Sequence, residues 1–195
     1  MEKISYPLFP SLVVSFSNFI TEEERLELIK IIKGLDHTSH DALAGNSSST
    51  YEKNYKKGNN FLDIEIEQRI QDALDEYVDK FGSFDLEISR IWSNIQNSGS
   101  VLLEHCHGDG VITGSLYINV GKESRIYFHN PNPHIYFKEK KKFTDYNYKW
   151  MSKSVQNCQL IIFPSWLKHG KNDVINTMDD RIVISFNAMP KDSHK

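Results

Sequence analysis

The sequence predicts a mainly β protein of the α+β kind, with two helices first and an antiparallel sandwich or barrel after them. Three observations carry this. Two amphipathic helical segments lie before Gly82. After it come short runs rich in Ile, Val, Phe, Tyr and Trp, and Gly, Asn and Pro break those runs apart. Several short strands separated by turn signals form sandwiches or barrels, and helices that precede them pack on the outside of one sheet. At 195 residues the chain suits one domain, 1–195, with 1–85 as helical support and 86–190 as the β unit.

The first helix opens on Thr21-Glu22-Glu23-Glu24, a capping box in which Thr21 takes a backbone N–H and Glu24 reaches back. Its acidic first turn suits the positive end of the helix dipole. Leu26, Leu28, Ile29, Ile31 and Ile32 follow, and Gly34 stops it. The second helix is written in Ile66, Ile70, Ala73, Leu74, Tyr77, Val78 and Phe81, at three- and four-residue spacing with Gly82 as the stop. Between them, 37–60 is rich in Ser, Asn, Gly and Lys and reads as a long mobile loop. Its Ser47-Ser48-Ser49-Thr50 cluster reads as plain flexible loop.

Strands are expected at 86–96, 101–107, 111–120, 125–128, 159–163 and 181–187. The stretch 129–155, with Pro131, Pro133 and lysines 138, 140, 141 and 142, reads as an insertion over one rim of the sheet. Its lysines read as solvated, and His129 and His134 as surface residues. The segments 37–60 and 129–155 are the candidates for a lid and a substrate groove.

A formal charge of −3 gives no footing for a nucleic-acid or membrane-surface partner. No apolar run approaches the ~20 residues needed to cross a bilayer. The N-terminal Met1-Glu2-Lys3-Ile4-Ser5-Tyr6-Pro7 has no continuous apolar core of a secretory signal, so a soluble cytoplasmic protein is expected. Cys106 and Cys158 stand in no metal or redox spacing. Exposed sheet edges would permit a homodimer.

The chemistry concentrates in two runs. Leu103-Glu104-His105-Cys106-His107-Gly108-Asp109-Gly110 closes an expected strand. Side chains two apart on a strand share a face, so His105 and His107 point together, and Asp109 joins them if the strand runs that far. Ile161-Ile162-Phe163-Pro164-Ser165-Trp166-Leu167-Lys168-His169 delivers a third histidine just past another strand. Two histidines and a carboxylate at neighbouring strand ends make a facial triad for Fe(II), with three cis positions left open. Arg181 begins the strand Arg181-Ile182-Val183-Ile184-Ser185-Phe186-Asn187. Its planar fork suits the far carboxylate of a 2-oxo diacid that chelates the metal at its other end.

These words resemble the 2-oxoglutarate–Fe(II) oxygenase superfamily, and within it a group of bacterial and phage oxygenases with a prolyl-hydroxylase-like jelly roll. That group shows His-x-His, then Ser-Gly-x-Tyr-Tyr, Phe-Pro-Ser-Trp-x-x-His and Arg-x-x-x-Ser-x-Asn. The matching residues are His105-Cys106-His107, Thr113-Gly114-Ser115-Leu116-Tyr117, Phe163 to His169, and Arg181 to Asn187. Thr113 stands where the group has Ser, and Cys158 where it tends to have Gly. The resemblance covers about Ile91 to Asn187.

It implies a double-stranded β-helix (jelly roll) with N-terminal helices packed on one sheet. It also implies a 2-oxoglutarate-dependent dioxygenase that hydroxylates an unidentified substrate with O2 and releases succinate and CO2. His107, Asp109 and His169 are the expected metal ligands, with His105 as the alternative. A carboxylate offsets part of the charge of the hard Fe(II) ion, whereas an all-histidine site resembles a cupin. Arg181 is expected to bind 2-oxoglutarate, and the resemblance adds the Tyr117 hydroxyl. Asn94 could serve the same ligand or a backbone edge. Phe163 and Trp166 read as core or rim packing. Two other readings remain: a cupin-like metal protein or isomerase using His105, His107 and His169, and a non-catalytic jelly-roll binding module.

Overall fold

Thr21 begins α1 (Glu22–Lys33) as its sequence requires. The Thr21 hydroxyl accepts from the Glu24 N–H at 3.2 Å, and the Glu24 carboxylate accepts from the Thr21 N–H at 2.8 Å. Gly34 ends the helix, its N–H donating to the carbonyls of Lys30 and Ile31. In α2 (Ile64–Asp79) the stripe Ile66, Ile70, Ala73, Leu74, Tyr77 and Val78 is buried. A cap not anticipated from sequence, Asp63, accepts from the Glu65 N–H at 2.8 Å. The computed structural model describes residues 11–80, 85–132, 142, 144 and 147–191. Phe81, Gly82, Pro133, His134 and the lysines at 138, 140 and 141 lie outside these.

Ten strands follow or interleave: β1 (Val14–Phe16), β2 (Leu43–Ala44), β3 (Ser47–Ser49), β4 (Leu86–Gln96), β5 (Val101–Leu102), β6 (Ile112–Asn119), β7 (Arg125–His129), β8 (Trp150–Ser154), β9 (Gln159–Pro164) and β10 (Arg181–Pro190). A large antiparallel sheet runs β1-β9-β6-β10-β4-β3. The facing layer consists of the pairs β2-β5 and β7-β8. Isolated bridges Val101↔Ile175, His105↔His169 and Phe128↔His169 tie these pairs to the 169–175 segment. Two facing antiparallel layers with helices on one of them make the expected jelly roll. No helix among the described residues is long and apolar enough to cross a membrane.

Period-two alternation sorts the large sheet into two faces. Leu116, Ile118, Leu160, Ile162, Ile182, Ile184 and Phe186 join the helices in one core. The opposite face supplies Tyr117, Ile161, Phe163 and Val183 to a second, inner core with Ile126 and Phe128 of β7. Arg181, Ser185 and Asn187 alternate with the outer-core residues of β10, and Trp92, Asn94 and Gln96 fall two apart on β4. The polar chemistry therefore lies between the two layers.

Several expectations change. The 37–60 segment is not a free loop: β3 pairs with β4 in the register Ser47↔Gln96, Ser48↔Ile95 and Ser49↔Asn94. Ser49 and Thr50 are fully buried, and Thr50 exchanges two 2.9 Å hydrogen bonds with Ser93. The strand expected at 101–107 pairs regularly only over Val101–Leu102. Trp150–Ser154, inside the expected insertion, forms a strand with β7. Trp166 is 56% exposed, so it is rim, whereas Phe163 is core. His129 is largely covered and donates through Nε2 to the Gly170 carbonyl at 2.9 Å. Cys158, where the related group favours glycine, has φ +60°, the left-handed turn conformation that glycine adopts without cost.

Candidate metal and 2-oxo acid site

Two strand-like segments bring the histidines together. The His105 N–H donates to the His169 carbonyl and the His169 N–H to the His105 carbonyl, both at 2.9 Å. The His107 N–H donates to the Ser165 carbonyl, also at 2.9 Å. His105 and His107 then share a face, their rings stacked at 5.2 Å, with His169 at 4.2 and 5.1 Å from the two. Ring nitrogens from all three lie within 4.8 Å of one another. Gly170 allows the close approach: its φ is +87°, and a Cβ there would meet the Leu103 carbonyl oxygen at 2.3 Å.

Two of the imidazoles have their tautomer fixed by backbone carbonyls. His105 Nδ1 donates to the Leu103 carbonyl at 2.8 Å and His169 Nδ1 to the Leu167 carbonyl at 3.0 Å. A carbonyl only accepts, so each Nδ1 carries the proton and each Nε2 keeps its lone pair. Second hydrogen bonds of this kind orient metal-binding histidines. Burial lowers the pKa of all three. For His105 it falls to about 4, and His169 is pushed down further by the neighbouring His105 and His107.

This has a consequence for stability. In the metal-free protein the unfolded chain takes up these protons near the ordinary histidine value of 6.5, while folded His105 stays neutral to about 4. Between those values the unfolded state binds more protons, so stability is full above pH 6.5 and falls as the pH drops towards 4. The melting temperature of chelator-treated protein should therefore decline between pH 7 and 5, before ordinary carboxylates titrate. A flat profile across that window would show that the imidazoles are not buried as neutral groups.

Asp109 lines the same cavity as the imidazoles, but its carboxylate is not part of the group of ligand atoms that lie within 4.8 Å of one another. Beyond His107 the chain bends rather than continuing as strand, so the alternation that pairs 105 with 107 does not carry to 109. Its Oδ1 accepts from Asn187 Nδ2 at 2.5 Å. Its Oδ2 accepts from the Tyr51 hydroxyl at 2.9 Å and pairs with Arg90 at 3.2 Å.

A cavity of about 400 Å³ holds the three histidines, Arg181, Tyr117 and Asn94 on one lining. Arg181 donates through one terminal nitrogen to Gln96 Oε1 at 2.5 Å. Among the described residues no carboxylate pairs with it, and burial lowers its pKa. Burial drives the Tyr117 hydroxyl up to about 12, with Arg181 and Ser115 opposing, so it remains an O–H donor. Asn94 Oδ1 is buried without a hydrogen-bond partner. Gln96, Tyr51, Arg90 and Asn187 received no role from the sequence. Period two was the available signal for Gln96, two beyond Asn94, and for Asn187, six beyond Arg181.

A family model described as "Putative 2OG-Fe(II) oxygenase" matches residues 90–187, just over half of the chain. The chain belongs to this family. No curated protein matches the sequence. Among solved structures, HygX from Streptomyces hygroscopicus with nickel and 2-oxoglutarate bound is similar at a TM-score of 0.62. The identity is 11%, over 92% of this chain and 83% of that one. The viral collagen prolyl hydroxylase vCPH from Paramecium bursaria Chlorella virus-1, a 2OG complex, gives 0.58 at 15% identity over 90% and 94%. A prolyl hydroxylase from Trichoplax adhaerens, with a hypoxia inducible factor peptide, gives 0.59 at 12% over 91% and 83%. At these identities the likenesses establish the jelly-roll fold of this 2OG-Fe(II) oxygenase family member, and nothing about its substrate.

Proposed function

We propose that the protein is a 2-oxoglutarate-dependent Fe(II) dioxygenase that hydroxylates a substrate of still unassigned class. The observation that carries this is Arg181. A charged guanidinium drawn into the interior without a carboxylate is costly unless an anion completes it. It lines the same cavity as three neutral imidazoles. A 2-oxo diacid satisfies both ends.

The residues present fit such a group. His105, His107 and His169 would hold Fe(II) through Nε2, and Asp109, already engaged by Asn187, Tyr51 and Arg90, would stay outside the ligand set. Imidazole is a suitable ligand for non-haem iron, although the usual set for these oxygenases has one carboxylate. The chemistry the metal supplies when bound is oxidative decarboxylation of 2-oxoglutarate to succinate and CO2, with one oxygen atom of O2 going to the substrate. Arg181, aligned by Gln96, would grip the distal carboxylate in two parallel hydrogen bonds. The Tyr117 hydroxyl and the Asn94 amide would complete the pocket as neutral groups. Phe163, 4.8 Å from the His169 ring, and Trp92, 5.6 Å from that of His107, would keep water from the metal's flank.

The three-imidazole set also suits a cupin-like isomerase, but that reading leaves Arg181 with no anion. Adding Fe(II) and 2-oxoglutarate without oxygen decides between them. The expected result is a visible charge-transfer absorption from the chelate, then succinate on admitting O2. Folded, metal-loaded protein that shows no band would end the oxygenase reading.

A further inference from the structure

Asp109 is the one expected metal ligand outside the imidazole cluster, and its hydrogen bonds point to another task. A carboxylate oxygen only accepts, so the Asn187 atom 2.5 Å from Asp109 Oδ1 is the amide nitrogen. The amide oxygen must then face the other way, 2.7 Å from His107 Nδ1. That oxygen only accepts, so His107 Nδ1 carries the proton. Thr113 leads independently to the same tautomer. Its hydroxyl donates to the Phe186 carbonyl at 2.8 Å, which commits its single proton. Towards His107 Nδ1, at 3.3 Å, it can only accept. Arg90 and the Tyr51 hydroxyl brace the carboxylate from outside, with the guanidinium 4.2 Å over the Tyr51 ring. Gly110 leaves room for the amide, since a Cβ there would meet Asn187 Cβ at 3.0 Å.

We propose that Asp109 is a positioning residue for His107 that acts through Asn187: it orients the amide, and the amide holds the imidazole in the Nδ1–H form with Nε2 free for the metal. The inference rests on the three-histidine reading above. It gives the carboxylate of the His107-Gly108-Asp109 run a role one residue removed from the ion. An amide placed between carboxylate and imidazole works only one way round, so the order acid–amide–imidazole is what fixes the tautomer.

The test uses ¹⁵N-imidazole NMR of the metal-free protein, followed by titration with Zn(II). In the wild type His107 should be protonated at Nδ1, and Zn(II) should shift the signals of His105, His107 and His169. Asp109→Leu should give His107 as a mixture of tautomers and weaken Zn(II) binding about 10- to 100-fold, as loss of an outer partner of a ligand does. The exchanged double variant D109N/N187D should restore both. After the exchange the amide at position 109 can donate to the carboxylate at position 187, and that carboxylate can accept from His107. The amide oxygen at 109 can still accept from Tyr51 and Arg90. A merely structural role would not be rescued by the exchange, and a carboxylate ligand at 109 would not be replaced by asparagine. An unchanged tautomer in Asp109→Leu, or a folded exchanged variant binding no better than Asp109→Leu, overturns the proposal. Wild-type titration that leaves the three histidine signals unmoved overturns the three-histidine reading itself, and is recognised by the unaltered Nδ1–H signal of His107.

Discussion

Arg181→Ala is expected to weaken 2-oxoglutarate binding to the metal-loaded protein by about 2–5 kcal/mol, roughly 30- to several-thousand-fold. Truncating one partner of a desolvated, hydrogen-bonded charge pair leaves the other charge uncompensated, and here the ligand's distal carboxylate would face Tyr117 and Gln96 alone. Arg181→Lys should recover only part of the loss, because an ammonium restores charge but not the two-pronged geometry. Calorimetry with 2-oxoglutarate reads the effect directly, and loss of the charge-transfer absorption at fixed 2-oxoglutarate provides a second reading. A substrate lacking the distal carboxylate, such as pyruvate, should be insensitive to the change. Unaltered 2-oxoglutarate affinity in Arg181→Ala would remove the one charged anchor proposed for the distal carboxylate. It would leave the cupin-like reading as the better account of three imidazoles in one cavity.

The place of Arg181 was legible in the sequence: it opens β10, and the alternation Arg181, Val183, Ser185, Asn187 against Ile182, Ile184, Phe186 fixes which face it lies on. The helices were legible for the same kind of reason, since the Thr21 capping box and the α2 stripe are written in adjacent residues. What failed depended on partners distant in sequence. Ser47-Ser48-Ser49 carries no strand signal of its own, and it is ordered because β4 offers an edge, at Asn94 to Gln96, far along the chain. The choice among His105, His107 and Asp109 was undecidable from alternation once β5 ended at Leu102. Backbone bonds to residues 165–169 hold the two histidines inward, and Asn187, 78 residues away, holds the aspartate aside. The literal His-x-Asp run states which residues can meet, not which neighbour claims them first.

That competition yields the sharpest test of the site. His105→Ala is expected to abolish stoichiometric Fe(II) loading, whereas Asp109→Ala should weaken it by no more than about 10- to 100-fold, the range for loss of a group that orients a ligand. The physical difference is whether a lone pair is removed from the metal or only the restraint on one. His105 Nε2 has no substitute within the three-imidazole cluster, since its Nδ1 is committed to the Leu103 carbonyl and the other two imidazoles already serve. Asp109, by contrast, touches His107 only through Asn187. His105→Ala also removes a ring packed 4.2 Å from His169, so its fold is to be checked by melting before metal content is compared. Metal analysis after gel filtration, with Co(II) absorption as an oxygen-stable substitute, would rank the two variants. If Asp109→Ala lost the metal and His105→Ala kept it, the ligands would be His107, Asp109 and His169. Asn187, Tyr51 and Arg90 would then be the outer hydrogen-bond partners that a ligating carboxylate ordinarily keeps.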